Sequence, residues 1–505
     1  MTALRFAFVG TVILVNMPCG WAGPVQLGLQ GDARDFGFDG VTTEAELTAE
    51  PARQVEAPSL LPQLSHGTIE LRVGHELTYR RRKGADFGEI KNGARSISIL
   101  NSSGRTPDST TGSTTKNARS TDSSSEPSAT TVPETAVSRN LSLKKRIGWG
   151  LRLDQGYQNI TVINGPDSGA FRGDITRLIL GAGMQLNSKT SIGIGLDRNS
   201  IDAPIDIPAL NFGGILNGLN RFETDYTENR LRLEINRHFS SATQIRLRGG
   251  YLFGGSNLRT SGFADQAHLP IDLSGSEYAL DARRRFSGNR EIAFSWFQSL
   301  IDGNDVATLN GSQVLGTTRA EFSQKRIGLF WRKHNPRRAL SFGIEHNALS
   351  SSSSASIELG LLDPTNPVAS LTTAALDTQL RGKTTMFKIG YVASGTKNFE
   401  YRTGMQIGRG RIAGFAAEEA RTLFGSINRN EVTLRERARN ILVPSLALTY
   451  KPGRNRLTFQ IGQVIPLPQK RSGGSSTSPG PPGPPQPKSR SWGGTVGSIS
   501  LQVPF

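Results

Sequence analysis

The sequence predicts an all-β protein: a transmembrane antiparallel β-barrel of fourteen strands, within a range of twelve to sixteen, with short turns at one end and long loops at the other. Three observations predict it. From about residue 141 onward, segments of roughly ten to fourteen residues alternate apolar and polar side chains, the period of a half-exposed strand. The gaps between those segments alternate short and long, which is how a membrane barrel connects its strands. Fifty-seven glycines and 26 prolines among 505 residues argue against a mainly helical chain. No apolar run approaches the roughly 18 residues of a membrane helix, so contact with lipid would have to be made by strands.

The N-terminal elements come first in order. Residues 1–22 have the form of a signal peptide: Arg5, an apolar run from Phe6 to Val15, and Gly20-Trp21-Ala22 as a small-x-small cleavage site. Cleavage there removes Cys19, the single cysteine, and one cysteine excludes both a disulfide scaffold and a cysteine-based zinc module. Residues 23–66 form an acidic extension, expected in the periplasm; Asp32, Asp35, Asp39, Glu44, Glu46, Glu50 and Glu56 face only Arg34 and Arg53. Residues 67–83 hold an extra strand, with Ile69, Leu71, Val73, Leu77 and Tyr79 on one face. It lies outside the count of fourteen, or it joins the barrel with an unrecognised partner and raises the count to sixteen. Residues 84–140 read as a disordered linker, because 17 of the 31 residues from 101 to 131 are Ser or Thr and offer little apolar surface to offset ordering entropy.

The barrel proper spans 141–505. Strands are predicted at 141–153, 173–186, 190–198, 228–237, 243–254, 276–286, 291–300, 320–333, 338–347, 383–393, 397–407, 437–450, 456–466 and 491–505. Turn-like sequence fills the short gaps, among them Asn187-Ser188-Lys189, Ser287 to Arg290 and Lys451 to Asn455. The long gaps include 199–227, 348–382, 408–436 and the proline-rich 467–490. First and last strands then meet the same side, which requires an even number.

Side-chain parity sorts the two faces. One face is apolar: Ile147, Trp149, Leu151 and Leu153; Leu178, Leu180, Ala182, Met184 and Leu186; Leu231, Leu233 and Ile235. The other carries too many charges for a dry core, since an unpaired buried ion costs several kcal/mol even after relaxation. The apolar face therefore meets lipid and the charged face lines water. Lys145, Arg284 and Lys325 fall on the apolar parity away from strand ends and fit this register least well.

The last strand alternates Ile499, Leu501, Val503 and Phe505 and stops on the phenylalanine. On these residues, residues 141–505 resemble Gram-negative outer-membrane β-barrel proteins, whose final strand ends in an aromatic residue that serves as the assembly signal. The resemblance implies an outer-membrane location, insertion by the outer-membrane assembly machinery, and contact with outer-membrane lipid and lipopolysaccharide. The hairpin from Leu186 to Leu196 is similar to hairpins of barrels associated with aromatic-compound degradation, a likeness too generic to carry a substrate.

The inward parity collects Lys144, Arg146, Arg152, Arg177, Arg230, Arg232, Arg246, Arg248, Arg283, Arg285, Arg326, Arg332, Lys388, Arg402, Arg437, Arg439 and Arg456. Eight acids stand against them: Asp197, Glu228, Glu234, Glu277, Asp281, Glu291, Glu345 and Glu400. Arginine cannot be neutralised by a pKa shift, so the surplus persists at any relevant pH. Adjacent strands are expected to bring Arg230 and Arg232 near Arg246 and Arg248, and Arg283 and Arg285 near Glu291. A ring of like charge in a conduit selects counter-ions, so the lumen is expected to pass small anionic solutes by diffusion. Two rivals stand beside it: export of an anionic polysaccharide along the arginine track, and a structural or surface-interaction barrel with a blocked lumen.

Enzymatic signatures are weak. No Gly-x-Ser-x-Gly occurs, and Gly382-Lys383-Thr384 lacks the first glycine of a phosphate-binding loop because position 377 is Asp. His346 with Ser341 or Ser350 is the nearest approach to a catalytic pair. No cofactor, metal or nucleic-acid partner is expected.

Overall fold

The computed structural model describes residues 55–64, 67–81, 86–102, 146–164, 169–206, 221–261, 266–309, 313–335, 337–358, 372–394, 398–422, 425–435, 439–467 and 491–505. The predicted signal peptide, most of the acidic extension and the Ser/Thr-rich stretch beyond residue 102 lie outside them. Within the described residues one antiparallel sheet of seventeen strands accounts for nearly everything. In chain order these are β1 (Thr68–Arg81), β2 (Asp86–Ser102), β3 (Ile147–Asn164), β4 (Gly169–Gln185), β5 (Thr190–Asp206) and β6 (Arg221–His238). Then follow β7 (Thr243–Ser261), β8 (Gln266–Phe286), β9 (Arg290–Leu309), β10 (Gln313–Asn335), β11 (Arg338–Glu358) and β12 (Thr372–Ser394). The last are β13 (Phe399–Thr422), β14 (Gly425–Arg435), β15 (Arg439–Tyr450), β16 (Arg456–Pro466) and β17 (Ser491–Pro504).

Consecutive strands pair, and β17 pairs back onto β1 from Thr68 opposite Pro504 to Arg81 opposite Ser491, so the sheet closes. The exception is β14, which pairs only with the outer half of β13 while β15 takes the inner half. Sixteen strands therefore make the ring and β14 stands outside it. Closure leaves no strand edge, the condition for a sheet to cross lipid.

The ring has two strands more than the fourteen predicted. Residues 68–81 enter it, and their partner is 86–102, which the sequence reading left in the linker. The alternation of β2 is weak because Gly88 and Gly93 interrupt it; the ring of Tyr157 on β3 lies where a Cβ on Gly93 would project. On the parity of Ile97 and Ile99 the only other large apolar residue is Phe87, ten residues away at the far end of the strand.

Both ends of the chain's barrel, Thr68 and Phe505, lie at the end carrying the tight turns. The β8–β9 turn is a three-residue loop, Phe286 opposite Arg290, with Gly288 at φ 74° and Asn289 at φ 56°, left-handed conformations that glycine and asparagine adopt most readily. At β4–β5, Leu186 N donates to Thr190 O at 2.9 Å, and at β6–β7 Phe239 N donates to Thr243 O at 2.9 Å.

Strands are longer than predicted. β10 and β12 have 23 residues and β13 has 24, against the about 9 to 11 that cross a bilayer. Much of the predicted long gaps at 199–227, 348–382 and 408–436 is strand. Beyond the lipid, neither face needs apolar residues, so alternation vanishes while the ladder continues; Ser350 to Ser354 sit in β11 with full pairing to β10 and β12.

The faces fall as parity predicts. Leu233 is 62 % exposed while its neighbours Arg232 and Glu234 are 5 % and 2 % exposed. The exposed apolar belt runs around the ring through Ile147, Leu196, Leu247, Tyr251, Phe294, Leu329, Phe387, Leu446, Phe459 and Ile499. An outer surface of this kind on a closed barrel faces lipid. Aromatic pairs Trp331–Phe342 and Phe399–Tyr450, with centroids 5.6 Å and 4.9 Å apart, mark its border nearest the turns. Arg284, which fitted the register poorly, lies at that border with its guanidinium 5.3 Å from the Phe286 centroid. Lys145 lies outside the described residues.

Ile499, Leu501, Val503 and Phe505 all face outward on the closing strand. Phe505 N donates to Gly67 O at 3.0 Å, and its ring lies over Gly67. Removing Phe505 is expected to lower the heat-modifiable fraction recovered from outer membranes while leaving export intact, read by gel shift of unheated samples; unchanged recovery would mean the last closure contact is dispensable.

Candidate functional site

The inner wall near the turn end carries two features that belong together: a short segment inside the ring and a continuous set of ion pairs. The segment is 55–64. Its 3-10 helix spans Pro58–Gln63, with Leu60 N donating to Ala57 O at 2.9 Å. Pro58 and Pro62 suit this conformation because their fixed φ is that of a 3-10 turn and they bring no amide donor. Leu61, Val55 and Leu64 bury with Leu100 of β2 and Ile179 of β4.

The wall makes room for the segment with glycine. Gly148 on β3, Gly183 on β4 and Gly193 on β5 face inward, and a Cβ on any of them would collide with the backbone of Leu61, Pro58 or Ser59. Alternation of these glycines with outward Ile147, Trp149, Met184, Ile192 and Ile194 is what lets one strand stretch seat a chain inside and meet lipid outside.

Glu56 ties the segment to the wall. Its Oε1 accepts from Arg152 Nη1 at 3.1 Å and from Arg177 Nη1 at 3.2 Å. Arg152 Nε also donates to Asp154 Oδ1 at 2.8 Å. Arg177 holds Asp197 with both Nε (3.0 Å) and Nη2 (2.6 Å), the bidentate geometry that suits a guanidinium to a carboxylate. Asp197 Oδ2 accepts again from Arg232 Nη2 at 2.7 Å, and Arg232 Nε stands 3.1 Å from Glu277 Oε1. Glu277 reaches Arg230, which pairs with Glu228, itself accepting from the Tyr226 hydroxyl. The chain of charge thus runs from the segment across β3, β4, β5, β6 and β8. A second tie is Ser59, whose Oγ donates to Glu234 Oε2 at 3.0 Å.

Further round the ring, Arg246 pairs with Asp281 at 2.6 Å, Arg285 with Glu291 at 3.2 Å, Lys388 with Glu345 at 3.2 Å and Arg402 with Glu400 at 2.8 Å. Arg283 and Arg248 stand 3.8 Å and 3.9 Å from Glu291 and Glu234. Ten of the predicted lumen bases thereby meet ten carboxylates. Two of the acids escaped the sequence reading: Asp154, one residue past the predicted end of its strand, and Glu56, assigned to the periplasmic extension. Of the expected cluster, Arg230, Arg232 and Arg248 come together about Glu277, while Arg246 turns to Asp281. The register sets Arg248 opposite Glu234 and Arg232 opposite Gly250.

Arg146, Arg326, Arg332 and Arg456 share the inward parity; Arg326 is exposed to the lumen with its guanidinium 5.6 Å from the Phe297 centroid. Lys144 and Arg437 lie outside the described residues, and of Arg439 only the backbone, which opens β15, is described. Toward the loop end the wall of β7 to β10 is apolar, with Leu252, Leu273, Ile301 and Phe322 buried. The β8–β9 ladder breaks between His268 and Asp272, around Pro270, whose carbonyl accepts from Thr318 Oγ1 on β10. No periodicity signals this patch, because its bulky residues sit opposite glycines such as Gly275 and Gly303. His346 and Ser341 stand on opposite faces of β11: Ser341 Oγ donates to Gly390 O, while His346 Nδ1 lies 3.0 Å from Thr385 Oγ1. Ser350 is four residues along from His346 on the outward face, so no catalytic pair forms.

Breaking a buried ion pair from one side costs about 3–5 kcal/mol because the partner charge stays behind. Asp197→Ala takes the shared carboxylate from Arg177 and Arg232, which keep only Glu56 and Glu277, so it is expected to lose up to about that much in urea titration of the barrel in vesicles. Asp197→Ala paired with Arg232→Ala should recover part of the loss. Gly183→Val is expected to expel residues 55–64, exposing them to protease while the barrel stays heat-modifiable.

No family model matches the chain, and no curated protein matches it in sequence. Solved structures do match. The Pseudomonas putida toluene transporter TodX is 13 % identical, with 93 % of this chain and 96 % of that chain covered and a TM-score of 0.38. The Ralstonia pickettii toluene transporter TbuX is 13 % identical over 96 % of this chain and 98 % of that chain, with a TM-score of 0.38. A Pseudomonas aeruginosa FadL homologue is 10 % identical over 95 % and 97 %, with a TM-score of 0.40.

Proposed function

We propose that the chain is an outer-membrane channel for passive diffusion of small solutes, with a preference for anions, and that residues 55–64 close it at the turn end. The observation that carries this reading is the charge of the inner wall. Fourteen inward bases of the predicted set are described, and Arg72 of β1 makes fifteen, against the ten carboxylates paired above together with Glu70 of β1 and Asp305 of β9; one of these acids, Glu56, belongs to the closing segment. Withdrawing the segment takes that carboxylate from between Arg152 and Arg177 and widens the basic surplus. A ring of sixteen strands is of the size that leaves an aqueous channel when nothing occupies it, and fixed like charge on a low-dielectric wall concentrates counter-ions.

The segment itself favours a second reading, a structural barrel whose lumen stays shut. Planar-bilayer recording separates the two. The refolded chain from residue 23 is expected to conduct rarely, and deletion of 55–64 is expected to give discrete steps whose reversal potential in a salt gradient reports anion preference. Arg326→Glu in the deletion background should shift that potential toward cations. A folded, heat-modifiable deletion variant that stays silent would remove the channel reading and leave the structural one.

A further inference from the structure

The outer wall carries a cluster of cations that the lumen does not explain. Lys325 on β10, Arg381 and Lys383 on β12, and Arg409 and Arg411 on β13 are all exposed and all on the outward parity. Register places them side by side. Lys325 lies opposite Ala348, Ala348 opposite Lys383, and Lys383 opposite Arg411, in one row across four strands. Arg409 is opposite Thr385 and Arg381 is opposite Ser350, so the rows on either side add hydroxyls and two more guanidinium groups.

No acid among the described residues pairs with any of the five. The acids on the same face, Glu321 and Asp377, stand four residues further out along β10 and β12, and Glu321 is held by Arg319 at 2.6 Å. Like charges directly opposite on neighbouring strands destabilise a sheet, so Lys383 facing Arg411 is a cost within the protein alone. An anion between them turns it into a gain.

The position says which anion. Lys325 is ten residues from the turn end of β10, Lys383 eleven from that of β12, and Arg409 ten from that of β13. At about 3.3 Å per residue and a tilt near 40°, this is about 25 Å up the wall, the height of the apolar band of a membrane barrel. Directly below lie the exposed apolar side chains of Ile327, Ile344, Phe387 and Ile407. The turn end faces the periplasm in this class of barrel, so the cluster sits at the headgroup level of the outer leaflet. Three strand steps from Lys325 to Arg411 span about 14 Å, room for more than one phosphate.

We propose that Lys325, Lys383, Arg409 and Arg411, with Arg381 at the edge, form a binding site for a bisphosphorylated glycolipid of the outer leaflet, its phosphates on the cations and its acyl chains on the apolar side chains beneath. Guanidinium groups supply paired donors to phosphate oxygens and the lysines supply charge; Thr385 and Ser350 add hydroxyl donors. The site is independent of what passes through the lumen.

The test uses the full refolded chain in detergent and native mass spectrometry with purified bisphosphorylated lipid A. Expected are retention of one lipid A by the parent, a loss of at least tenfold in K325Q/K383Q/R411Q, and no change in Arg198→Gln on the opposite wall. Inorganic phosphate should not compete at millimolar concentration, and phosphatidylglycerol should bind at least tenfold more weakly. Undiminished lipid A retention by the triple variant would overturn the site. Equal binding of phosphatidylglycerol, or competition by free phosphate, would overturn its assignment to a bisphosphorylated glycolipid. Lys383→Gln alone gives a second readout should the triple variant not fold: it should raise thermal stability in lipid-free detergent, by relieving repulsion, and lose the stabilisation that added lipid A gives the parent. A fall in lipid-free stability with that stabilisation intact would contradict the proposal.

Discussion

The backbone ladder between Thr68–Arg81 and Ser491–Pro504 is the contact on which the remaining architecture depends. In hydrocarbon every peptide group must find a partner within the protein, and a sheet achieves this only by closing on itself. Because the closing pair is antiparallel, the ring has an even number of strands and both ends of the barrel lie on the turn side. Closure also determines where residues 55–64 can go. Leu64 is only four residues before Thr68, so the segment has to lie at the turn end, and its apolar side chains are covered only inside the ring.

Much of this was legible in sequence because lipid imposes a simple rule. Where a wall separates hydrocarbon from a polar interior, alternation is strict, and Leu231, Leu233 and Ile235 against Arg230, Arg232 and Glu234 sort correctly by parity alone. Where the rule lapses, so did the reading. Strand extensions beyond the lipid are polar on both faces, so Ser350–Ser354 looked like loop. β2 carries glycines that accommodate a neighbour's aromatic ring, and its alternation was too weak to separate it from the Ser/Thr-rich stretch that follows. Inward glycines at 148, 183 and 193 carried a signal that was available and unused: small residues on the same face of three successive strands require another chain to come close.

The lumen charges show the limit of counting. Parity identified the arginines, but their meaning depends on partners drawn from elsewhere in the chain. Glu56 comes from a segment with no regular pattern of its own, and Asp154 was lost to a strand boundary set one residue short. Buried arginines cannot shed their charge, so each carboxylate brought inside is a structural requirement rather than ornament. The same reasoning on the outer wall gives the opposite result at Lys383 and Arg411, which meet no carboxylate among the described residues.

The seat of residues 55–64 has a kinetic consequence. It is built from β2 to β6, all drawn from the first half of the chain, whereas ring closure joins strands more than 400 residues apart. Contacts close in sequence form at lower loop-closure cost than distant ones. The segment can therefore nucleate an open, curved sheet of early strands, covering their inner face with its own apolar side chains while the later strands are still unpaired. A chain that carries its own template in this way presents less bare surface during assembly, when unpaired edges are most prone to aggregate.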